Sequence, residues 1–268
     1  SLNFDGTGYN VAVGYDAGVN VTTGINNTVI GGLAGDAINN GSQNVAVGKA
    51  SLTSATTASD NVGVGHGALS ALTTSTRNVA IGTQALNGAM NTNSTTYNVA
   101  VGYHAGNDVT TGIRNTIMGG LAGDALTTGS YNQALGYSAL GTETGGSRST
   151  AIGYLALGIQ NVGSGEANNV AIGHSAGGAV TSGIQNVLIG SLTGDALTTG
   201  GFNVAIGYNA LSTEDAHGTN VAIGKSALQN LNAGANAYNV AVGFEAGLSV
   251  STGTHNTLMG GLAGDALT

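Results

Sequence analysis

Cysteine, proline and tryptophan are absent from this 268-residue chain, and only 7% of its residues are charged, with 5 Lys+Arg against 13 Asp+Glu. Each scarcity excludes something. Without cysteine the chain can form neither disulfides nor thiolate metal sites, and its redox compartment stays open. Without proline every residue keeps its backbone N–H, which suits a fold hydrogen-bonded along its length and rules out collagen. Five basic side chains in a chain of net charge −8 cannot make the positive stripe that nucleic-acid phosphates require. No run reaches the ~18 consecutive apolar residues of a membrane helix, so membrane insertion is not expected. Intrinsic disorder needs low hydrophobicity and high charge, whereas 41% of this chain is apolar, so it should be ordered. The first residue is Ser1, not a methionine, which reads as a processed or excised piece.

What the chain has instead is glycine, 48 residues of it, and a repeat. A pentad of Asn, Val or Thr (Gln at 133), a mostly small residue, Ile/Val/Leu/Met and Gly starts at Asn10, Asn27, Asn44, Asn61, Asn78, Asn98, Asn115, Asn132, Asn169, Asn186, Asn203, Asn220, Asn239 and Asn256, and at Ser149 in place of Asn. The spacing is 17 residues, except 20 after positions 78 and 149 and 19 after 220. Gly closes all 15 copies, and three residues later comes Ala, with Ser51 and Thr193 the exceptions. The residue after that is Gly in some coils (Gly18, Gly35) and Leu in others (Leu52, Leu69, Leu86), two Gly-type coils preceding two or three Leu-type ones. This superrepeat divides the chain into a lead-in (1–9), a five-coil block (10–97), two four-coil blocks (98–168 and 169–238) and a two-coil remainder (239–268). Ending on a Gly-type pair reads as a segment of a longer array, since solenoids end in atypical capping units.

Within the pentad Val11 and Val13 flank Ala12, and Val170 and Ile172 flank Ala171, the two-residue alternation of a short strand. An Ala-Gly or Ala-Leu pair and a polar segment such as Thr22-Thr23-Gly24 follow, giving strand, corner, strand, turn. A 17-residue unit is too short for a helical-hairpin repeat and lacks the leucine-rich signature. The sequence therefore predicts an all-β fold, a parallel β-solenoid of about 15 coils that would make a rod of ~70 Å at ~4.8 Å per coil. The Asn column is read as a structural ladder whose stacked amides bond to the coils above and below.

At these residues a resemblance becomes specific. Asn-Val-Ala-Ile-Gly, at Asn169 to Gly173 and Asn203 to Gly207, is similar to the head repeat of YadA-like trimeric autotransporter adhesins, and Asn203 to Leu211 also resembles repeats of bacteriophage tail fibres. The likeness covers the chain from Asn10 onward, with a pitch longer than that of the adhesin heads. It implies a left-handed β-roll, three chains around one axis, and an attachment role in the extracellular space, on a virion tail fibre or a bacterial surface. A narrow coil buries little apolar area, which independently favours packing of three copies side by side. The small third-position residues Ala12, Ala46, Ala80, Ala100, Ala171 and Ala205 are expected to let those backbones approach closely. The expected partners are thus the chain itself, as a homotrimer, and a cell-surface glycan or other host receptor. The extended segments 89–95, 158–165 and 232–237 are the expected protrusions.

Chemical motifs are sparse, and no cofactor, metal or catalysis is expected. Gly173-His174-Ser175-Ala176-Gly177 matches a nucleophile-elbow pattern, yet sister coils replace Ser175 by Asp16, His104 and Glu245, which no nucleophile would survive. Asp36, Asp124, Asp195 and Asp265, in Gly-Asp-Ala turns, resemble calcium-binding repeats but recur several coils apart and are read as turn residues. The five His show no metal-site spacing, and a hexapeptide-type acyltransferase fits only one side of each coil. Thr-Thr pairs at Thr22, Thr110, Thr127 and Thr198 are adjacent, so their side chains diverge, unlike an ice-binding array. One column stands out: the residue after the invariant Gly is Tyr15, His66, Tyr103, Tyr137, Tyr154, His174, Tyr208 or Phe244 in eight coils, a lateral stripe suited to stacking on sugar rings.

Overall fold

Three β-branched or small residues followed by Gly make a strand too short to stand alone, so each must pair with its counterpart one coil away. The computed structural model describes residues 8–268, leaving residues 1–7 of the lead-in outside it. The chain divides into two compact units, Ser1–Tyr131 and Asn132–Thr268. In the first, β1 (Val11–Val13), β2 (Thr28–Ile30), β3 (Val45–Val47), β4 (Val62–Val64), β5 (Val79–Ile81), β6 (Val99–Val101) and β7 (Thr116–Met118) pair in parallel, each with the next. In the second, β8 (Gln133–Leu135), β10 (Thr150–Ile152), β12 (Val170–Ile172), β13 (Val187–Ile189), β14 (Val204–Ile206), β15 (Val221–Ile223), β16 (Val240–Val242) and β17 (Thr257–Met259) do the same, while β9 (Gly146–Ser147) pairs with β11 (Gly165–Glu166) apart from them. The fold is an all-β parallel solenoid of fifteen coils, seven in one unit and eight in the other. Registers align pentad on pentad, Ala171 opposite Leu188 and Leu188 opposite Ala205, so every sequence column is also a spatial column within its unit. Among the described residues there is no helix long and apolar enough to cross a membrane.

Most coils hold one strand where the sequence predicted two. The second stretch is built of turns: the residue six places after the Asn, the one eight places after it and the one just before the next Asn all have positive φ, as in Ser175 (50°), Gly177 (58°) and Gln185 (59°). The invariant Gly173 sits at φ 140°, a conformation closed to L side chains, and a Cβ there would lie 2.4 Å from the Gly190 carbonyl oxygen of the next coil. This is why that column is never anything but glycine.

The strand's middle residue faces inward, which corrects the expectation that the small third-position residues meet a neighbouring chain. Ala46, Ala80, Ala100, Ala171 and Ala205 are fully buried within their own coils, whereas the flanking Val and Ile point out and stay partly exposed. The physical reason is bore: the coil interior also holds the Asn column, the Ala column and the Gly/Leu column, and leaves only methyl-sized room at most strands. The Gly/Leu alternation conserves volume. A Cβ on Gly177 would lie 2.7 Å from Leu188 Cδ1 and 3.0 Å from Leu157 Cδ2, so the Leu of the preceding coil and the large strand residue of the following one occupy the space that this glycine vacates. Gly106 is filled in the same way by Leu86 and Ile117. Each such buried Leu or Ile contributes ~1.5–3 kcal/mol of apolar burial.

Candidate functional site

Two kinds of column run through each unit: inward ones that hold the coils together and outward ones that can meet a partner. The Asn side chains are inward. Asn186 donates from Nδ2 to the Gly200 carbonyl at 2.9 Å across the coil, and its Oδ1 accepts the backbone N–H of Asn203 at 3.0 Å; Asn27, Asn44 and Asn61 repeat the arrangement in the first unit. Asn78, Asn98, Asn115, Asn132, Asn169, Asn220 and Asn239 are also fully buried, and Asn10 and Asn256 engage their neighbours part-buried. Ser149 is too short to bridge, and Gln160 completes the column. Its Nε2 donates to Ser149 Oγ (3.1 Å) and to Glu143 Oε2 (2.9 Å), and its Oε1 accepts Asn169 Nδ2 at 2.7 Å. Glu143 is itself fully buried and also accepts the N–H groups of Gly145, Gly146 and Val162, a carboxylate held by four donors.

The outward columns are less uniform. The residues flanking each strand's middle form a double row that is apolar except at Thr28, Thr116, Gln133, Thr150 and Thr257; in the first unit Val11 (49% exposed), Val13 (57%), Ile81 (41%) and Met118 (43%) stand out from it. Of the sequence-predicted stripe, Tyr15, His66, Tyr103, Tyr137, Tyr154, His174, Tyr208 and Phe244 are all exposed. Only three adjoin: Tyr137 stacks on Tyr154 at 5.7 Å between centroids, and Tyr154 on His174 at 5.3 Å. Elsewhere Gly, Lys, Ser or Thr intervene, and Lys225 Nζ lies 5.1 Å over the Phe244 ring. Ser175, the elbow-like serine, sits in a left-handed turn beside the His174 ring that stacks on Tyr154.

Sequence reasoning missed a second row, formed by the residue just before each Asn. It carries all three arginines together with Tyr9, Tyr97, Tyr131, Phe202 and Tyr238. Arg77 donates to Tyr97 Oη at 3.2 Å and lies 5.8 Å from its ring centroid; Arg114 does the same to Tyr131 at 2.7 Å and 5.4 Å. The signal was available as the one column that concentrates the guanidinium groups.

Besides the surface ion pairs Arg77–Asp60, Arg148–Glu166 and Lys225–Glu245, titratable groups gather around Glu214 and along the Asp column. Glu214, fully buried, accepts the His217 backbone N–H and approaches His217 Nδ1, both at 3.1 Å, with exposed Asp215 beside them. Sequence spacing gave no hint of this group. In the Asp column, Asp36 Oδ1 accepts the Thr53 hydroxyl, whereas Asp124 and Asp195 each leave Oδ1 buried with no hydrogen-bond partner. Burial raises both carboxyls above their ordinary range; His104, 3.8 Å from Asp124, partly opposes this there, while Asp108 adds to it. The extended segments each carry a buried residue, Met90, Gln160 or Ala237, alongside exposed ones such as Asn93, Gly163 and Asn236.

No protein-family model matches the chain, and no curated protein and no solved structure matches it either.

Proposed function

We propose that the chain is a structural and adhesive segment of a homotrimeric extracellular fibre, a bacteriophage tail fibre in the first reading and a bacterial surface adhesin of the trimeric autotransporter type in the second. The observation that carries this reading is the double outward row, mostly Val, Ile and Met, that recurs coil after coil on each unit and stays partly exposed. Copies of the same chain, each with an identical face, are the simplest cover for it, and the Asn-Val-Ala-Ile-Gly resemblance supports three copies in left-handed coils. With 5 Lys+Arg in 268 residues the surface offers trypsin-like proteases few sites, as suits an exposed fibre. The protein acts mechanically: stacked coils give stiffness, and repeated surface rows on three chains give avidity for a cell-surface glycan, with Tyr137, Tyr154 and His174 as the stacking platform. No catalytic role is assigned.

The experiment is a Val204→Lys, Ile206→Lys double variant. Both side chains point away from the coil interior, so the solenoid persists while a charged pair sits in the proposed interface. Sedimentation velocity should show the variant as monomers under conditions that keep the parent protein assembled. Identical sedimentation of the two would overturn the proposal. For the adhesive part, replacing Tyr137, Tyr154 and His174 by Ala should abolish capture on a glycan array that retains the parent protein, and unchanged capture would remove the stripe from the account.

A further inference from the structure

Beside Asp195 the second unit has a shallow groove of about 340 Å³. Leu155 and Ile159 of one coil, Ala179 of the next and Leu192 of the third form aliphatic walls, and Ser175 and Asp195 are the polar groups that line it. The Asp195 carboxylate has one oxygen shielded from solvent and without a hydrogen-bond partner. That oxygen is out of a ligand's reach, but the desolvated carboxylate as a whole lines the groove and is stabilised by a cation placed there.

The chain supplies its own comparison, because the Asp recurs in the same column of other superrepeats. At Asp36 the Thr53 hydroxyl of the following coil donates to Oδ1. At Asp124 the imidazole of His104 stands 3.8 Å from Oδ1, and His104 occupies the column position that Ser175 has beside Asp195. Asn107 and Asp108 likewise stand where Gly178 and Ala179 leave the groove open. In two blocks a neighbouring coil places a hydroxyl or an imidazole beside the carboxylate. At Asp195 only the residue's own backbone N–H bonds the carboxylate, and the neighbouring side chains make room.

We propose that this groove binds a primary ammonium carried on a short aliphatic body, the ammonium meeting Asp195 and the hydrocarbon lying along Leu155, Ile159 and Leu192. The wall chemistry selects an aliphatic body over a sugar, since no aromatic ring lines the groove. The site lies within one unit of one chain and does not depend on the assembly proposed above.

The test is titration of the parent protein with hexylammonium at pH 7, followed by calorimetry, alongside 1-hexanol and glucosamine. Hexylammonium should bind, with 1-hexanol and glucosamine at least about tenfold weaker. Asp195→Asn keeps the shape and removes the charge, and it should weaken hexylammonium by about tenfold or more. Ser175→His installs the imidazole of the sister site, at a position where His104 already adopts the same backbone conformation, and by filling the groove it should block binding. Absence of hexylammonium binding, equal affinity for 1-hexanol, or undiminished binding by Asp195→Asn would each overturn the proposal. Tighter binding of glucosamine than of hexylammonium would overturn its assignment of an aliphatic ligand.

Discussion

Replacing Asn186 by Ala removes one rung of the column that joins the coils of the second unit. Three hydrogen bonds go with the amide: Nδ2 to the Gly200 carbonyl at 2.9 Å, and the two that Oδ1 receives from the backbone and side-chain nitrogens of Asn203, at 3.0 and 3.2 Å. Asn203 Nδ2 keeps its bond to the His217 carbonyl at 3.2 Å, so its loss is partial. The Gly200 carbonyl and the Asn203 N–H are left buried without these partners. At ~1–3 kcal/mol for each unsatisfied group, the variant should lose about 2–6 kcal/mol of stability. Urea unfolding of parent and variant, followed by circular dichroism, measures the difference. Asn186→Asp keeps an acceptor for Asn203 but sets a buried carboxylate oxygen against the Gly200 carbonyl, so at pH 7 it should lose at least as much stability as the Ala variant. A loss below about 0.5 kcal/mol for the Ala variant would refute the reasoning, because it would mean that water or a neighbour replaces the rung at no cost.

Two backbone predictions have opposite signs. Gly173→Ala would force φ 140° on an L residue and place its Cβ 2.4 Å from the Gly190 carbonyl, costing about 1–3 kcal/mol for the conformation and a similar amount for the collision, read as a lowered urea midpoint. Ala50→Gly sits at φ 55° in a column where the next coil already has Gly67, and it should raise the melting temperature through a net gain of about 0.5–1 kcal/mol. A pH dependence follows from Asp195. Because burial raises its folded-state pKa above the ordinary 3.8, the ionised carboxylate destabilises the fold at neutral pH, and this penalty is relieved as pH falls through the folded value and is gone below 3.8. Asp195→Asn should therefore be more stable than the parent at pH 7, with the difference closing as the pH approaches 3.8.

The repeat period, the strand positions and the invariant glycines were legible because each is a local demand repeated fifteen times: Gly173 must be glycine wherever its φ recurs. The direction in which the strands face was not. Alternation along Val170-Ala171-Ile172 fixes that Ala lies opposite its neighbours, but not which side is the interior, and a coil this narrow reverses the usual preference by keeping Ala inside and Val and Ile outside. The second strand is missing from most coils because residues such as Leu155, Leu192 and Ser175 adopt left-handed conformations that propensity does not anticipate for them; hydrogen bonds such as Leu192 N–H to the His174 carbonyl hold them there. The role of Gln160 beneath Ser149 was hidden for another reason. The two lie 11 residues apart, and only closure of the coil brings them together.

The central claim is that the outward apolar rows are an interface among three copies. Size-exclusion chromatography with light scattering on the unmodified protein tests it most directly. The account predicts a single species at three times the 25.9 kDa chain mass that persists on dilution. A well-behaved species at 25.9 kDa would contradict it.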